Sequence, residues 1–283
     1  MDKRPLGPFS VSPIGFGAMR LTGPNVFGPP RNRAEAVAVL REAVDRGVDH
    51  IDTAQYYGPD VVNELIREAL HPYPPGLVLV SKVGAGRDRD GGVFRDDEPR
   101  QLRRGIEENL RTLGVDALPV VNLRLMRDTG PDAFFDDQLD AMISARDDGL
   151  ITSIGLSNIT LGHLLHAVRF TEVACVQNAY HLANRLSQPV LEECTRRGIA
   201  FVPFAPLGFG QSGPDSVLAR PQVEREAARL GITPAQVALA WTLAASPNVL
   251  LIPGTSSLDH LRENLAVTNV HLDAEAVTRL SAM

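Results

Sequence analysis

Short apolar runs and helical stripes alternate along nearly the whole of this 283-residue sequence, and that alternation restricts the fold more than any other feature. Apolar runs at 14–17, 48–52, 77–82, 118–126, 151–155, 173–177, 199–203 and 248–252 predict eight strands, each followed by a helical pattern. The helices carry their own punctuation. Asn32 with Glu35 makes a capping-box start, Pro99 opens the helix over 98–113 and Gly114 closes it, and Ser187 and Gly198 bracket 187–197. The strands are apolar throughout instead of alternating, which implies burial on both faces and parallel pairing. An open doubly wound sheet that binds a dinucleotide needs a glycine-rich turn after its first strand, and Gly15-Phe16-Gly17-Ala18 lacks the third glycine. The pattern therefore predicts an α/β fold, a closed (β/α)8 TIM barrel spanning residues 1–283 as one domain. Residues 3–13 read as an N-terminal β-hairpin, and helices near 221–230 and Met283 are extra helices of the C-terminal half.

Composition narrows the function classes. A net charge of −6 and a pI near 5.7 argue against a nucleic-acid surface. Cys175 and Cys194 are too few for a disulfide framework and lack metal-ligand spacing. No apolar run approaches membrane-spanning length, and Met1 to Pro5 lacks the apolar core of a leader. The expectation is a cytoplasmic protein, plausibly a monomer, without metal, membrane or nucleic-acid partners.

In a barrel of this kind, functional groups gather at the C-terminal ends of the strands. Asp52 ends the second strand, Lys82 ends the third, and Tyr56 and Tyr57 lie in the loop between. A carboxylate, an ammonium and a phenol in that order suit acid–base chemistry on a carbonyl, with Lys⁺ lowering the phenol pKa and Asp52 keeping the lysine charged. The alternative is an ordinary ion pair beside a tyrosine packed in a turn. The same end of the barrel receives Ser157-Asn158, Gln177-Asn178, the segment from Phe204 to Gly208, and Gly254-Thr255-Ser256-Ser257. Each has a local explanation as a helix start or a turn; it is their convergence on one face that points to a site.

These motifs resemble the aldo-keto reductases along nearly the whole chain. The matching segments are Gly17-Ala18-Met19, Asp52 to Gly58, Ser81-Lys82, Ile154 to Asn158, Gln177-Asn178, Pro206-Leu207-Gly208, Ile252 to Thr255 and Glu263-Asn264. The resemblance implies hydride transfer from NADPH to a small-molecule carbonyl substrate. Tyr57 would be the proton donor, because the family's tyrosine directly precedes the glycine, with Lys82 and Asp52 tuning it. It further implies that Ser157, Asn158 and Gln177 hold the nicotinamide carboxamide and that Phe204 stacks on the ring. Gly17, Ala18, Met19, Asp52, Pro206, Leu207, Gly208 and Ile252 would complete the cofactor channel. Gly254, Thr255, Ser256, Ser257, His260, Glu263 and Asn264 would surround the adenosine phosphate and adenine. Further segments, among them Gly23 to Pro30 and Val120 to Arg124, are most similar to a bacterial branch that interconverts pyridoxal and pyridoxine.

Two departures stand out. The family's basic residue for the 2′-phosphate, just after the Ile-Pro pair, is replaced by Gly254 and the hydroxyl residues that follow. The family's histidine at the end of the fourth strand is absent from Asn122-Leu-Arg-Leu-Met-Arg127-Asp128. One alignment register places Arg127 in that slot and a one-residue slip places Met126 there. Strand parity favours Arg127, on the expectation that Leu123 and Leu125 point into the barrel. Cavity walls are expected from residues 19–30, 84–97, 126–131 and the loop after Phe204, and an end at Met283 leaves the pocket relatively open. The competing readings are a non-catalytic NADPH-binding redox sensor, a reductase of other small carbonyls, and a lyase forming a Schiff base on Lys82.

Overall fold

The computed structural model describes residues 2–127, 129–208 and 216–283. A short antiparallel hairpin, β1 (Arg4–Leu6) with β2 (Phe9–Val11), leads the chain. Then follow β3 (Phe16–Gly17), α1 (Arg33–Asp45), β4 (His50–Asp52), α2 (Val61–Leu70), β5 (Val78–Arg87), β6 (Val93–Asp96) and α3 (Pro99–Leu113). The middle of the chain supplies β7 (Leu118–Arg124), α4 (Ala133–Asp147), β8 (Ile151–Ser157), α5 (Leu161–Ala167), β9 (Cys175–Gln177), α6 (Gln188–Arg197) and β10 (Ala200–Phe201). Four helices end it: α7 (Pro221–Leu230), α8 (Pro234–Ala244), α9 (Leu258–Ala266) and α10 (Ala274–Ser281).

The parallel strands run in the order β10-β9-β8-β7-β5-β4-β3. Residues 249–251 complete the circle. Val249 bridges to Phe201 on one side and Leu251 to Ile14 on the other, with Leu251 N donating to Pro13 O (2.9 Å) and Gly15 N to Leu251 O (2.8 Å). Pro13 and Pro253 have no N–H to extend this pairing, which keeps the eighth strand to isolated bridges. The expected barrel, hairpin and additional helices are all present. The charged segment 84–97 differs from the loop expected of it: β5 runs on to Arg87 and pairs antiparallel with β6, so it projects as a β-ribbon. The fourth barrel strand stops at Arg124, two residues short of the expected Met126.

Most helix signals act as the sequence implies, but Ser187 makes no side-chain cap to α6, and the Glu35 side chain accepts from Asn32 Nδ2 where a capping box would have it accept from the Asn32 backbone N–H. Asn32 Oδ1 accepts from Glu35 N at 3.1 Å, Glu98 and Gln101 cap α3 reciprocally, and Gly114 ends α3 with φ of 70°.

Two apolar cores divide the strand residues by parity. Between strands and helices lie Leu79, Val121, Leu123, Ile154, Leu156, Val176, Val249 and Leu251 with the helix stripes. Inside the barrel lie Val78, Val80, Val120, Cys175, Ala200, Val202, Leu250 and Ile252, capped from below by Leu6 and Val11 of the hairpin. Three inner rows are apolar at the bottom and polar at the top: Val78-Val80-Lys82, Val120-Asn122-Arg124 and Cys175-Gln177.

A buried polar network locks the loop after β4. Thr53 Oγ1 donates to Asn63 Oδ1 (2.7 Å), and Asn63 Nδ2 donates to Asn109 Oδ1 (2.9 Å) and Thr112 Oγ1 (3.0 Å). Ser81 Oγ also donates to Asn109 Oδ1 (2.6 Å), while Asn109 Nδ2 donates to Gln55 Oε1 (3.2 Å) and to Gly105 O (2.8 Å). All of these side chains are buried, so each lost bond strands a partner away from water. Asn109→Ala is expected to lower the unfolding free energy by about 2–4 kcal/mol, since at least Asn63 and Ser81 lose their acceptor at about 1–3 kcal/mol each. Chemical denaturation checks this; a loss below about 0.5 kcal/mol would mean that water replaces the amide.

Candidate active site

The inner rows deliver the polar groups. His50-Asp52, Val78-Val80-Lys82, Val120-Asn122-Arg124, Cys175-Gln177 and Leu250-Ile252-Gly254 each climb the barrel by twos. Register aligns them: Gly17 faces Asp52, Lys82 faces Asn122, Arg124 faces Ser157, and Ser157 faces Gln177. Gly17 and Gly254 sit where two strand ends approach closely. A Cβ on Gly17 would strike Ile252 O, and one on Gly254 would strike Gly17 O.

Asp52 and Lys82 are 4% and 3% exposed, so neither charge can be neutralised by water. Lys82 Nζ donates to Asp52 Oδ1 in a very short bond and to Thr53 O at 3.1 Å. Gln177 Nε2 donates to the second carboxylate oxygen at 2.6 Å. Asp52 is thus held from two strands.

Tyr57 lies directly over this pair, its ring centroid 5.2 Å from Lys82 Nζ, with Tyr56 edge-on at 5.1 Å. Both phenols are driven well above the ordinary tyrosine range, chiefly by burial. For Tyr57 the Asp52 charge pushes the same way, and Arg124 opposes it. This corrects the expectation that Lys82 lowers the phenol pKa. The ammonium faces the ring and spends its charge on Asp52, so desolvation wins and Tyr57 is held protonated.

These groups open into a cavity of about 320 Å³. Of the residues expected at the cofactor, Gly17, Met19, Asp52, Phe204, Pro206, Leu207, Gly208, Ile252, Gly254 and Asn264 line it. Ala18 is buried behind the wall. Ser157 and Gln177 are buried beside it, and Ser157 Oγ and Gln177 Oε1 have no hydrogen-bond partner among the described residues. Asn158 turns outward with φ of 59°, its Nδ2 on Leu125 O at 2.9 Å. Thr255 Oγ1 accepts from Ser257 N (3.0 Å) and Ser257 caps α9. Ser256 lines a neighbouring cavity with Met19 and Arg20. His260 is exposed, and Glu263 accepts from Thr233 Oγ1 at the rear of α9. The expected walls appear at Met19, Arg20 and Val26, at Ala85, Arg87 and Val93, and after Phe204 as far as Gly208.

The segment 126–131 does not join them. Arg127 stacks on Phe134, Cζ to ring centroid 4.0 Å, and with Met126 lines a separate small recess. Asp128, which follows it in the sequence, lies outside the described residues. The residue that reaches the cavity from this strand is Arg124. Parity was the right criterion applied to the wrong face: Leu123 and Leu125 pack outward against helices, and Val120, Asn122 and Arg124 point inward. Arg20, Arg87 and Arg124 all line the cavity and were missed as site residues. Arg124 stands two residues after the Asn122 that faces Lys82, a register that the structure supplies and the sequence does not.

A family model described as the aldo/keto reductase family matches residues 13–283. The chain is 46% identical over 281 residues to a protein of Escherichia coli strain K12 named pyridoxine 4-dehydrogenase, covering 98% of this chain and 96% of that one. Its fold matches a thermostable aldo-keto reductase solved with the inhibitor epalrestat, with TM-score 0.84, 28% identity and coverage of 100% and 99% of the two chains. An aldo/keto reductase from Klebsiella pneumoniae, solved with NADP and acetate, gives TM-score 0.80 at 26% identity over 99% and 94%.

Because Tyr57 is held as the phenol, its ionisation is expected only above the ordinary tyrosine pKa of about 10. Ultraviolet difference titration of wild type against Tyr57→Phe, without cofactor, checks this. A phenolate signal lost in the variant at neutral pH would contradict it. Folding stability tied to this group is expected to be intact below that pKa and to fall as pH rises past it. Lys82→Met is expected to cost about 3–5 kcal/mol of stability, because Asp52 keeps its charge without its partner. Wild-type stability in that variant would show that Asp52 takes up a proton instead.

Proposed function

The chain belongs to the aldo/keto reductase family, and from that premise we propose that it reduces pyridoxal to pyridoxine with NADPH. It is an NADP-dependent oxidoreductase. The substrate is argued from the E. coli relative, whose name states the reverse reaction. The single observation that carries the chemistry is the protonated Tyr57 standing over the buried Lys82–Asp52 pair at the floor of a cavity. A cavity of about 320 Å³ suits a small ring.

The residues present fit the cofactor. Ser157 Oγ and Gln177 Oε1 are buried polar atoms with capacity to spare, matched to a carboxamide that both donates and accepts. Gly17 and Gly254 let the first and eighth strand ends close up against each other at the cavity wall. Thr255, Ser256, Ser257 and His260 offer hydroxyls, N–H groups and an imidazole at the start of α9 for a phosphate. When bound, the cofactor supplies the hydride.

The chain's own groups do the rest. Tyr57 donates its proton to the carbonyl oxygen as negative charge develops there. Asp52 fixes Lys82 beneath the ring, and Arg124 and Arg87 offset part of the cost of the phenolate that donation leaves behind. Arg124 occupies the position that the resemblance reserves for a histidine, and it supplies N–H donors toward the carbonyl. Lys82 is committed to Asp52 and Thr53 O, which leaves no free amine for a Schiff base.

The test follows NADPH absorbance with pyridoxal. Wild type is expected to turn over, and Tyr57→Phe to lose about two to four powers of ten in kcat, the usual contribution of a placed acid. NADPH affinity, read by quenching of protein fluorescence, is expected to change less than threefold. Turnover of pyridoxal by Tyr57→Phe at the wild-type rate would remove the phenol from the mechanism.

A further inference from the structure

The cavity carries more positive charge than reduction of a neutral carbonyl requires. Among the described residues its charged lining consists of Lys82, Arg20, Arg87 and Arg124 against the single carboxylate Asp52, which already serves Lys82 and Gln177. Arg20 is set apart: it stands beside Gly254 and is shared with the neighbouring cavity near Ser256, on the side assigned to the cofactor phosphates. Arg87 and Arg124 come from the adjacent strands β5 and β7, next to Tyr57.

Both of these guanidiniums are short of partners. Arg87 Nη1 donates to Gly91 O at 2.6 Å, but its Nε is buried and unpaired. Arg124 lies against the Phe204 ring, Cζ to centroid 5.6 Å. No carboxylate pairs with either among the described residues, whereas Arg33, Arg103, Arg104 and Arg262 each have one. Holding a partly buried cation unpaired beside a second one is costly, and an incoming anion relieves it. Both also pull the Tyr57 phenol pKa downward, so their charge is felt at the reacting end of the cavity.

We propose that Arg87 and Arg124 form an anion-binding subsite, so that this enzyme selects carbonyl substrates bearing a negatively charged oxygen group near the carbonyl. The inference rests on the reductase reading above and names its substrate class. Pyridoxal, with an acidic ring hydroxyl beside its aldehyde, falls within that class. A fork of fixed N–H donors grips a carboxylate or phenolate better than a point charge does, which accounts for arginine at both positions.

The experiment compares kcat/KM for phenylglyoxylate, whose carboxylate adjoins its carbonyl, with that for its neutral methyl ester, and the ratio is the readout. Wild type is expected to favour the anion at least tenfold. Arg124→Met and Arg87→Met are each expected to lower the ratio about tenfold or more and to weaken competitive inhibition by benzoate in parallel. NADPH affinity is expected to stay within threefold. Arg127→Met, whose guanidinium lies outside the cavity, is expected to leave the ratio unchanged. A wild-type ratio near one, or a ratio within twofold of wild type in both cavity variants, overturns the subsite while the reductase reading stands. Loss confined to NADPH affinity overturns it too and assigns the arginines to the cofactor. Absence of NADPH oxidation with every carbonyl compound, pyridoxal included, overturns the reductase reading itself.

Discussion

The Asp52–Lys82 pair is the interaction on which the rest of the site depends. Both side chains are almost fully buried, and an unpaired charge in that position costs several kcal/mol. Each partner therefore obliges the other to be present, and together they tie the top of β4 to the top of β5. Gln177 extends the tie across the barrel to β9 by taking the second carboxylate oxygen. With three strand ends held, the loop after β4 has little freedom. The Asn63–Asn109 network removes what remains by binding Thr53 and Gln55 to α2 and α3. Tyr56 and Tyr57 follow on that loop and are placed by it.

The barrel could be read from the sequence because each repeat carries its own signals. Asn32 with Glu35, Pro99 with Gly114, and Ser187 with Gly198 each mark a helix independently of the others. Asp52, Tyr57, Lys82, Ser157 and Gln177 could be read for a related reason: each stands where a strand ends, and strand ends in a barrel share one rim. What the sequence withheld was parity. A strand buried on both faces shows no alternation, so nothing in Val120-Val-Asn-Leu-Arg-Leu tells which row points inward. The leucines suggested the wrong row and with it Arg127. The structure resolves this through the asymmetry between two apolar cores, since the inner one is small and ends in polar groups. The β-ribbon of β5 and β6 was hidden for another reason. Gly84, Gly86, Gly91 and Gly92 read as loop residues, yet the ribbon depends on bare backbone where β5 passes Arg124 and Phe94.

The electrostatics at Tyr57 set the direction in which the site is prepared to work. Burial and Asp52 hold the proton on the phenol, which in the proposed reaction leaves Tyr57 ready to donate. Donation would leave a phenolate that the same burial disfavours, and Arg124 and Arg87, which oppose the rise in pKa, offset part of that cost. A stabilising charge that acts chiefly after the proton has moved lowers the barrier without lowering the ground state.

This places a demand on Arg124 that a neutral imidazole does not meet. An imidazole would donate one hydrogen bond and leave the charge balance of the cavity unchanged. Arg124 adds a full positive charge to a cavity that Lys82 also lines, and among the described residues its one carboxylate, Asp52, is already engaged. Stacking on Phe204 steadies the guanidinium but does not neutralise it. In the free enzyme this positive charge is a standing cost. It falls when a negative group enters, and falls further when the carbonyl oxygen gains charge in the transition state. In the proposed reaction the arginine would thus couple substrate capture to chemistry through one electrostatic term, which the Asp52–Lys82 pair, being closed on itself, cannot supply.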